Sequence, residues 1–157
     1  MHKIVLLFML LGSLIFASSE TEKIEKIKQL IKQHGLSFVI EKTIPFEQNE
    51  YPKKKNKLEV ISSVLYLSNI KTKMYKISVV NNWEEIIVGN NNYTHKDVMR
   101  FYPQQMQQRS INSLCSYKLN RLFFKNGLTI KTVYNDENGN FLFSTSVNNE
   151  DCKTRKK

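Results

Sequence analysis

The chain has 157 residues, 41% of them apolar, and a formal net charge of +10 at pH 7. That length suits a single domain whose core needs no metal to hold it together. Three histidines, two cysteines and five glycines argue against a metal cluster and a glycine-rich phosphate loop.

Met1-His2-Lys3 makes a short positive start, residues 4–11 an apolar run, and Ala17-Ser18-Ser19 a small-residue exit. This is the pattern of a secretory signal peptide. Cleavage is expected after Ser19, with Ala17 as the alternative. The segment is too short and too weakly flanked for a membrane anchor. No cysteine lies near the junction, so a lipid-attachment box is absent, and no later stretch is long and apolar enough to span a bilayer. The expectation is a periplasmic or secreted protein: a signal peptide over 1–19, one domain over 20–152 and a basic disordered tail over 153–157. One lysine leaves with the leader, so the mature surplus is 23 − 14 = +9. Outside the cytoplasm such a surplus argues against nucleic acid. It points instead to an acidic protein surface, lipid headgroups or a cell-wall polymer.

Residues 20–34 predict an amphipathic helix, with Ile24, Ile27, Leu30 and Ile31 on one side. Ser19 or Thr21 caps it and Gly35 ends it. Residues 36–44 alternate Leu36, Phe38 and Ile40 with polar positions, which predicts a strand. Residues 45–57, with two prolines and four lysines in five positions, predict a loop. Strands are expected over 58–67 and 73–80, and a short one over 84–88. Gly89-Asn90-Asn91-Asn92 is turn chemistry. Thr94 to Asp97 has the form of a capping box opening a short helix to Tyr102. Pro103 ends that helix and opens the next, along Met106, Ser110, Ile111, Leu114 and Cys115. Ser116 caps a further helix over 119–125 that stops at Asn126-Gly127. Residues 128–134 and 141–147 predict a hairpin around Asn135 to Asn140.

Cys115 and Cys152 most simply form one disulfide in an oxidising compartment; two separately buried thiols are the alternative. Closing that loop implies about 3–4 kcal/mol of stabilisation in the chain-entropy model. The order of elements implies an α+β fold. About five antiparallel strands are covered mainly on one face by an N-terminal helix and two or three short central helices.

Cys115-Ser116, then Arg121, Phe123, Phe124, Gly127, Tyr134, Asp136, Gly139 and Cys152 form a recognisable series. The series resembles the C-terminal half of a group of small exported bacterial proteins of uncharacterised function. That group runs Cys-Ser, Arg-x-Leu-Leu, Gly, Tyr-x-Asp-x-x-Gly and a closing Cys. Tyr51-Pro52-Lys53-Lys54 resembles its lead-in, so the likeness covers residues 50–152. Lys118 stands where that pattern has Pro, and Thr132 where it has an aromatic. The resemblance implies the fold and the disulfide but no activity.

No catalytic constellation appears. His34 and His95 lie in different elements without acidic or thiol neighbours at ligand spacing, so no metal or cofactor is expected. No Gly-x-Ser-x-Gly elbow exists. Glu84 and Glu85 would point to opposite faces of a strand, and Asp136-Glu137 sits in a turn. The Asn92-Tyr93-Thr94 sequon matters only in a eukaryotic secretory pathway. Tyr93, Arg100, Phe101 and Tyr102 could face a ligand, with helix-to-sheet packing the plainer role. The candidate binding residues are Lys53, Lys54, Lys55 and Lys57, with Tyr51 beside them and Trp83 as an exposed aromatic. Together these imply a non-catalytic interaction protein with a protein partner in the cell envelope. It would be an accessory of an envelope machine or an immunity-type inhibitor. A binder of anionic polymer or lipid through the basic loop is the alternative, and an unrecognised hydrolase the weaker one.

Overall fold

A computed structural model describes residues 19–89 and 94–154. Residues 1–18, 90–93 and 155–157 lie outside the described residues, and with them nearly all of the expected leader and most of the turn expected at residues 89–92.

Helix α1 spans Glu20–His34 and is capped by Ser19, whose hydroxyl accepts from the Glu22 amide while the Glu22 carboxylate accepts from Ser19 N–H. Gly35, at φ +83, donates to the Ile31 carbonyl and starts the next helix. A side chain there would be strained. Residues 36–44 are not a strand. They belong to helix α2, Leu36–Gln48. Leu36, Val39 and Ile40 are buried, and Ile44 packs on the same core. That is helical spacing, and burial along it outweighs the Leu36-Phe38-Ile40 alternation. Pro45 lies inside α2, so the predicted loop begins only after Gln48.

Strands β1 (Lys53–Lys54), β2 (Glu59–Leu67), β3 (Thr72–Val79), β4 (Thr129–Asn135) and β5 (Phe141–Val147) form one sheet in sequence order. All pairs are antiparallel except β3 with β4, which run parallel. A parallel neighbour needs a long crossover rather than a hairpin. Here the crossover contains α3 (Trp83–Val88), α4 (His95–Leu114) and α5 (Lys118–Lys125). The predicted strand over 84–88 is therefore α3, seated by the buried Trp83 and closed by Gly89 at φ +61. Glu84 pairs with His95, tying α3 to the start of α4. The Thr94–Asp97 capping box is present. Pro103 does not divide the segment: α4 runs through it as one helix. A proline there forfeits a helical hydrogen bond. Packing of Val98, Tyr102 and Met106 on the sheet offsets that loss.

Ser116 does not cap α5; its hydroxyl donates to the Ser113 carbonyl at 2.6 Å, and Tyr117 stands at the N-cap. Arg121 Nε donates to the Cys115 carbonyl at 2.5 Å and Asn120 to the Leu114 carbonyl at 3.2 Å, closing the end of α4. Beyond β5 the chain forms α6, Asn149–Thr154, so Lys153 is helical rather than part of a disordered tail. The Cys115–Cys152 disulfide joins the end of α4 to α6 with Cα atoms 5.4 Å apart.

The register sorts the strand residues into two faces. Val64, Tyr66, Tyr75, Ile77, Val79, Ile130, Tyr134, Phe143 and Val147 share the face on which the helices pack. One cluster joins α1, α2 and α5 to Ile130 and Val147. A second joins α3 and α4 to Ile77, Tyr134 and Phe143. The fold is thus α+β with one covered sheet face.

Replacing both Cys115 and Cys152 by Ala should lower the free energy of unfolding by about 3 kcal/mol in urea titration, since the cross-link restricts the unfolded chain. An unchanged midpoint would show that packing alone holds α6.

Candidate functional site

The end of α2 grips the covered face. Glu47 Oε2 takes the Lys73 ammonium at 2.5 Å, and Glu47 Oε1 accepts from Tyr75 Oη at 2.7 Å and Tyr51 Oη at 3.3 Å. Lys73 Nζ also lies 5.2 Å from the Tyr75 ring centre. Burial, then the nearby Glu47 carboxylate, pushes the Tyr51 phenol up to about 12. Burial and the hydrogen bond to Glu47 push Tyr75 up further.

A second carboxylate, Glu59 on β2, is 3% exposed. It accepts from Lys55 Nζ at 2.7 Å and from Asn56 Nδ2 at 2.9 Å. Lys55 thereby turns inward, its ammonium 6.0 Å from the Tyr134 ring centre. Burial, with Glu59 adding to it, raises both Tyr134 and Tyr102 above the ordinary phenol range. Each carboxylate is thus held by one lysine and at least one further hydrogen-bond donor. Among the described residues no group of three His, Cys, Asp or Glu could hold a metal ion.

The four lysines of the predicted basic loop are all exposed but differ in their partners. Lys53 pairs with Glu50 at 3.2 Å and Lys55 with Glu59, while Lys54 and Lys57 are exposed. Tyr51 turns to Glu47 rather than to the lysines. Trp83 is 4% exposed, 5.3 Å from the Tyr102 ring, so it is a core residue and not an exposed binding aromatic. Tyr102 is buried too, which settles it as a packing residue. Glu137 accepts from the Asn81 amide at 3.0 Å and from its side chain at 2.6 Å, joining the parallel strands' ends.

Both edges of the sheet are guarded by a helix glutamine. Beyond the two-residue β1, Gln48 Oε1 accepts from the Val64 amide of β2 at 2.9 Å. On β5, Gln107 accepts from the Ser146 amide at 3.0 Å and donates to its carbonyl at 2.7 Å. Edge strands with free backbone groups recruit other strands, and these side chains occupy those groups. The opposite face of the sheet is uncovered. Val60, Leu65, Met74, Lys76, Lys131, Val133 and Ser144 occupy it, and no described helix packs there.

No family model matches the chain, and no curated protein matches it in sequence. Solved structures do match in fold. A protein of Pseudomonas aeruginosa assigned as secreted superposes with a TM-score of 0.59 at 15% identity, covering 74% of this chain and 92% of that one. EpsS, the pilotin of the Vibrio vulnificus type 2 secretion system, gives 0.55 at 11%, covering 74% and 91%. AspS, a type II secretion system pilotin of Vibrio cholerae, gives 0.53 at 16%, covering 79% and 98%. At these identities the likeness is one of fold. It spans nearly the whole of each of those chains.

Sequence reasoning missed Glu47, Lys73, Gln48 and Gln107. Glu47 and Tyr51 are four apart, a helical neighbour spacing. That signal was hidden once residues 36–57 were read as strand and loop.

Two predictions follow from this geometry. Glu47→Gln should let Tyr51 ionise closer to pH 10, read as phenolate absorbance. A raised phenol pKa stabilises the fold below the unfolded value and is lost as pH rises through the folded one. Wild-type stability should therefore fall between about pH 10 and 12, and the variant's dependence should be shallower. Gln107→Ala should cost about 1–2 kcal/mol and speed hydrogen exchange at the Ser146 amide; unchanged exchange would refute the edge guard.

Proposed function

We propose that this chain is a non-catalytic accessory of a protein-secretion machine in the bacterial envelope, acting by binding one protein component of that machine. The fold likeness to two type II secretion pilotins, spanning 91% and 98% of those chains, carries the reading. The secreted assignment of the third neighbour supports an extracytoplasmic setting, as does the N-terminal leader pattern of the sequence.

The test is deletion of the gene in the native host, together with in-cell crosslinking of the exported protein. The expected result is one stoichiometric envelope protein in the crosslinked complex. Loss of the exported substrates of that machine from the medium should accompany it. Both should be restored by the wild-type chain. A secreted toxin as the sole partner, with secretion intact, would favour the immunity-type inhibitor instead. Recovery of cell-wall polymer alone would favour the polymer binder.

A further inference from the structure

The lysines of the sheet sort by face. On the helix side Lys73 is paired with Glu47. Lys76 and Lys131 lie on the two central strands of the uncovered face, and Lys54 on the edge strand shares that face. Among the described residues no carboxylate lies within salt-bridge distance of any of these three. Glu59 is the only acidic residue in any strand, and it faces the helices.

The register sets the pattern. Met74 stands opposite Lys131 on one side and Leu65 on the other; Lys76 stands opposite Val133 and Ser63. Ser146 and Ser144 extend the two rows on β5. Apolar and cationic groups therefore alternate at the centre, and small hydroxyl residues leave the flank low. Gln48 and Gln107 occupy the backbone of one residue at each edge, which obstructs strand pairing there. Two unpaired lysines on neighbouring strands repel each other, and a carboxylate brought between them relieves that repulsion.

We infer that the uncovered sheet face docks an acidic amphipathic segment of the partner protein, its apolar side on Leu65, Met74 and Val133 and its carboxylates on Lys76 and Lys131. The inference rests on the reading of the chain as a protein-binding accessory and names the surface and the chemistry of the segment. Complementary charge sets orientation and speed of association, and the apolar contacts hold the complex.

The test places a photo-crosslinking residue at Met74 or Val133 on this face, and at the exposed Phe46 or Ile86 on the helices, in the full chain exported by its native host. Crosslinked peptides are mapped by mass spectrometry. The expected product joins Met74 and Val133 to a net-acidic segment of one envelope protein. Lys76→Glu with Lys131→Glu should cut its yield by about tenfold. Lys23→Glu with Lys26→Glu on α1 should leave it within about twofold. Circular dichroism verifies folding, and Lys76→Gln with Lys131→Gln, which adds no repulsion, should give an intermediate loss. Crosslinks to a protein only from Phe46 or Ile86 would overturn this inference and leave the accessory role standing. So would a basic segment, a second copy of this chain or its own leader at Met74. Lysine-dependent sedimentation with phosphatidylglycerol vesicles, without a protein crosslink at Met74, would overturn it in favour of a lipid surface. Absence of a protein product from all four positions would overturn both readings.

Discussion

The parallel pairing of β3 with β4 constrains the whole molecule. Two strands that run the same way cannot be joined by a tight turn. The chain between Val79 and Thr129 must leave one end of the sheet and re-enter at the other. It does so as α3, α4 and α5, all on the face that also receives α1 and α2. The same pairing sets the ends of β3 and β4 side by side, where Asn81 and Glu137 meet. It also brings Cys115, at the end of the long α4, over the sheet to where α6 presents Cys152.

A sheet covered on one side only must deal with charge on both. Among the described residues, two carboxylates on the helix side have partners: Glu47 holds Lys73 and two phenols, and Glu59 holds Lys55 and Asn56. Burying a charge is tolerable when a counter-charge and hydrogen bonds accompany it. These two pairs neutralise one strand lysine, Lys73, and the loop lysine Lys55; Lys53 pairs separately with the exposed Glu50, and of the five strand lysines Lys54, Lys76 and Lys131 have no carboxylate partner among the described residues. A glutamine side chain holds one residue's backbone at each edge, and the face away from the helices is left uncovered.

Much of the architecture was legible locally. The capping box at Thr94, the hairpin around Asp136 and Gly139, and the β2 and β3 runs each carry their signal within a few residues, whereas at the first helix Ser19 and Thr21 competed as caps and the structure uses Ser19 with Glu22. Errors fell where two periodicities compete. Leu36, Val39 and Ile40 support a helix, whereas Leu36, Phe38 and Ile40 support a strand. Only the buried surface offered by Ile31 and the sheet decides between them. The strand expected over 84–88 is helical for a similar reason, since so short a segment has no decisive period and its anchor, Trp83, is set by Tyr102 from another helix. The grip of Glu47 on the sheet was invisible because its partners there, Lys73 and Tyr75, lie 26 and 28 positions away.

The order of predicted elements, the leader pattern and the cysteine pair by themselves pointed to an α+β domain, the sequence grammar of export, a cross-link as the simplest pairing of two cysteines, and no recognisable catalytic series. These are properties of residue type and short spacing, which the chain carries unfolded. Tertiary structure alone decided which lysines are neutralised and which stay free, that β3 and β4 run parallel, and that one face of the sheet is left open. Those outcomes depend on contacts between segments far apart in the chain, and no local spacing encodes which distant carboxylate a lysine will meet.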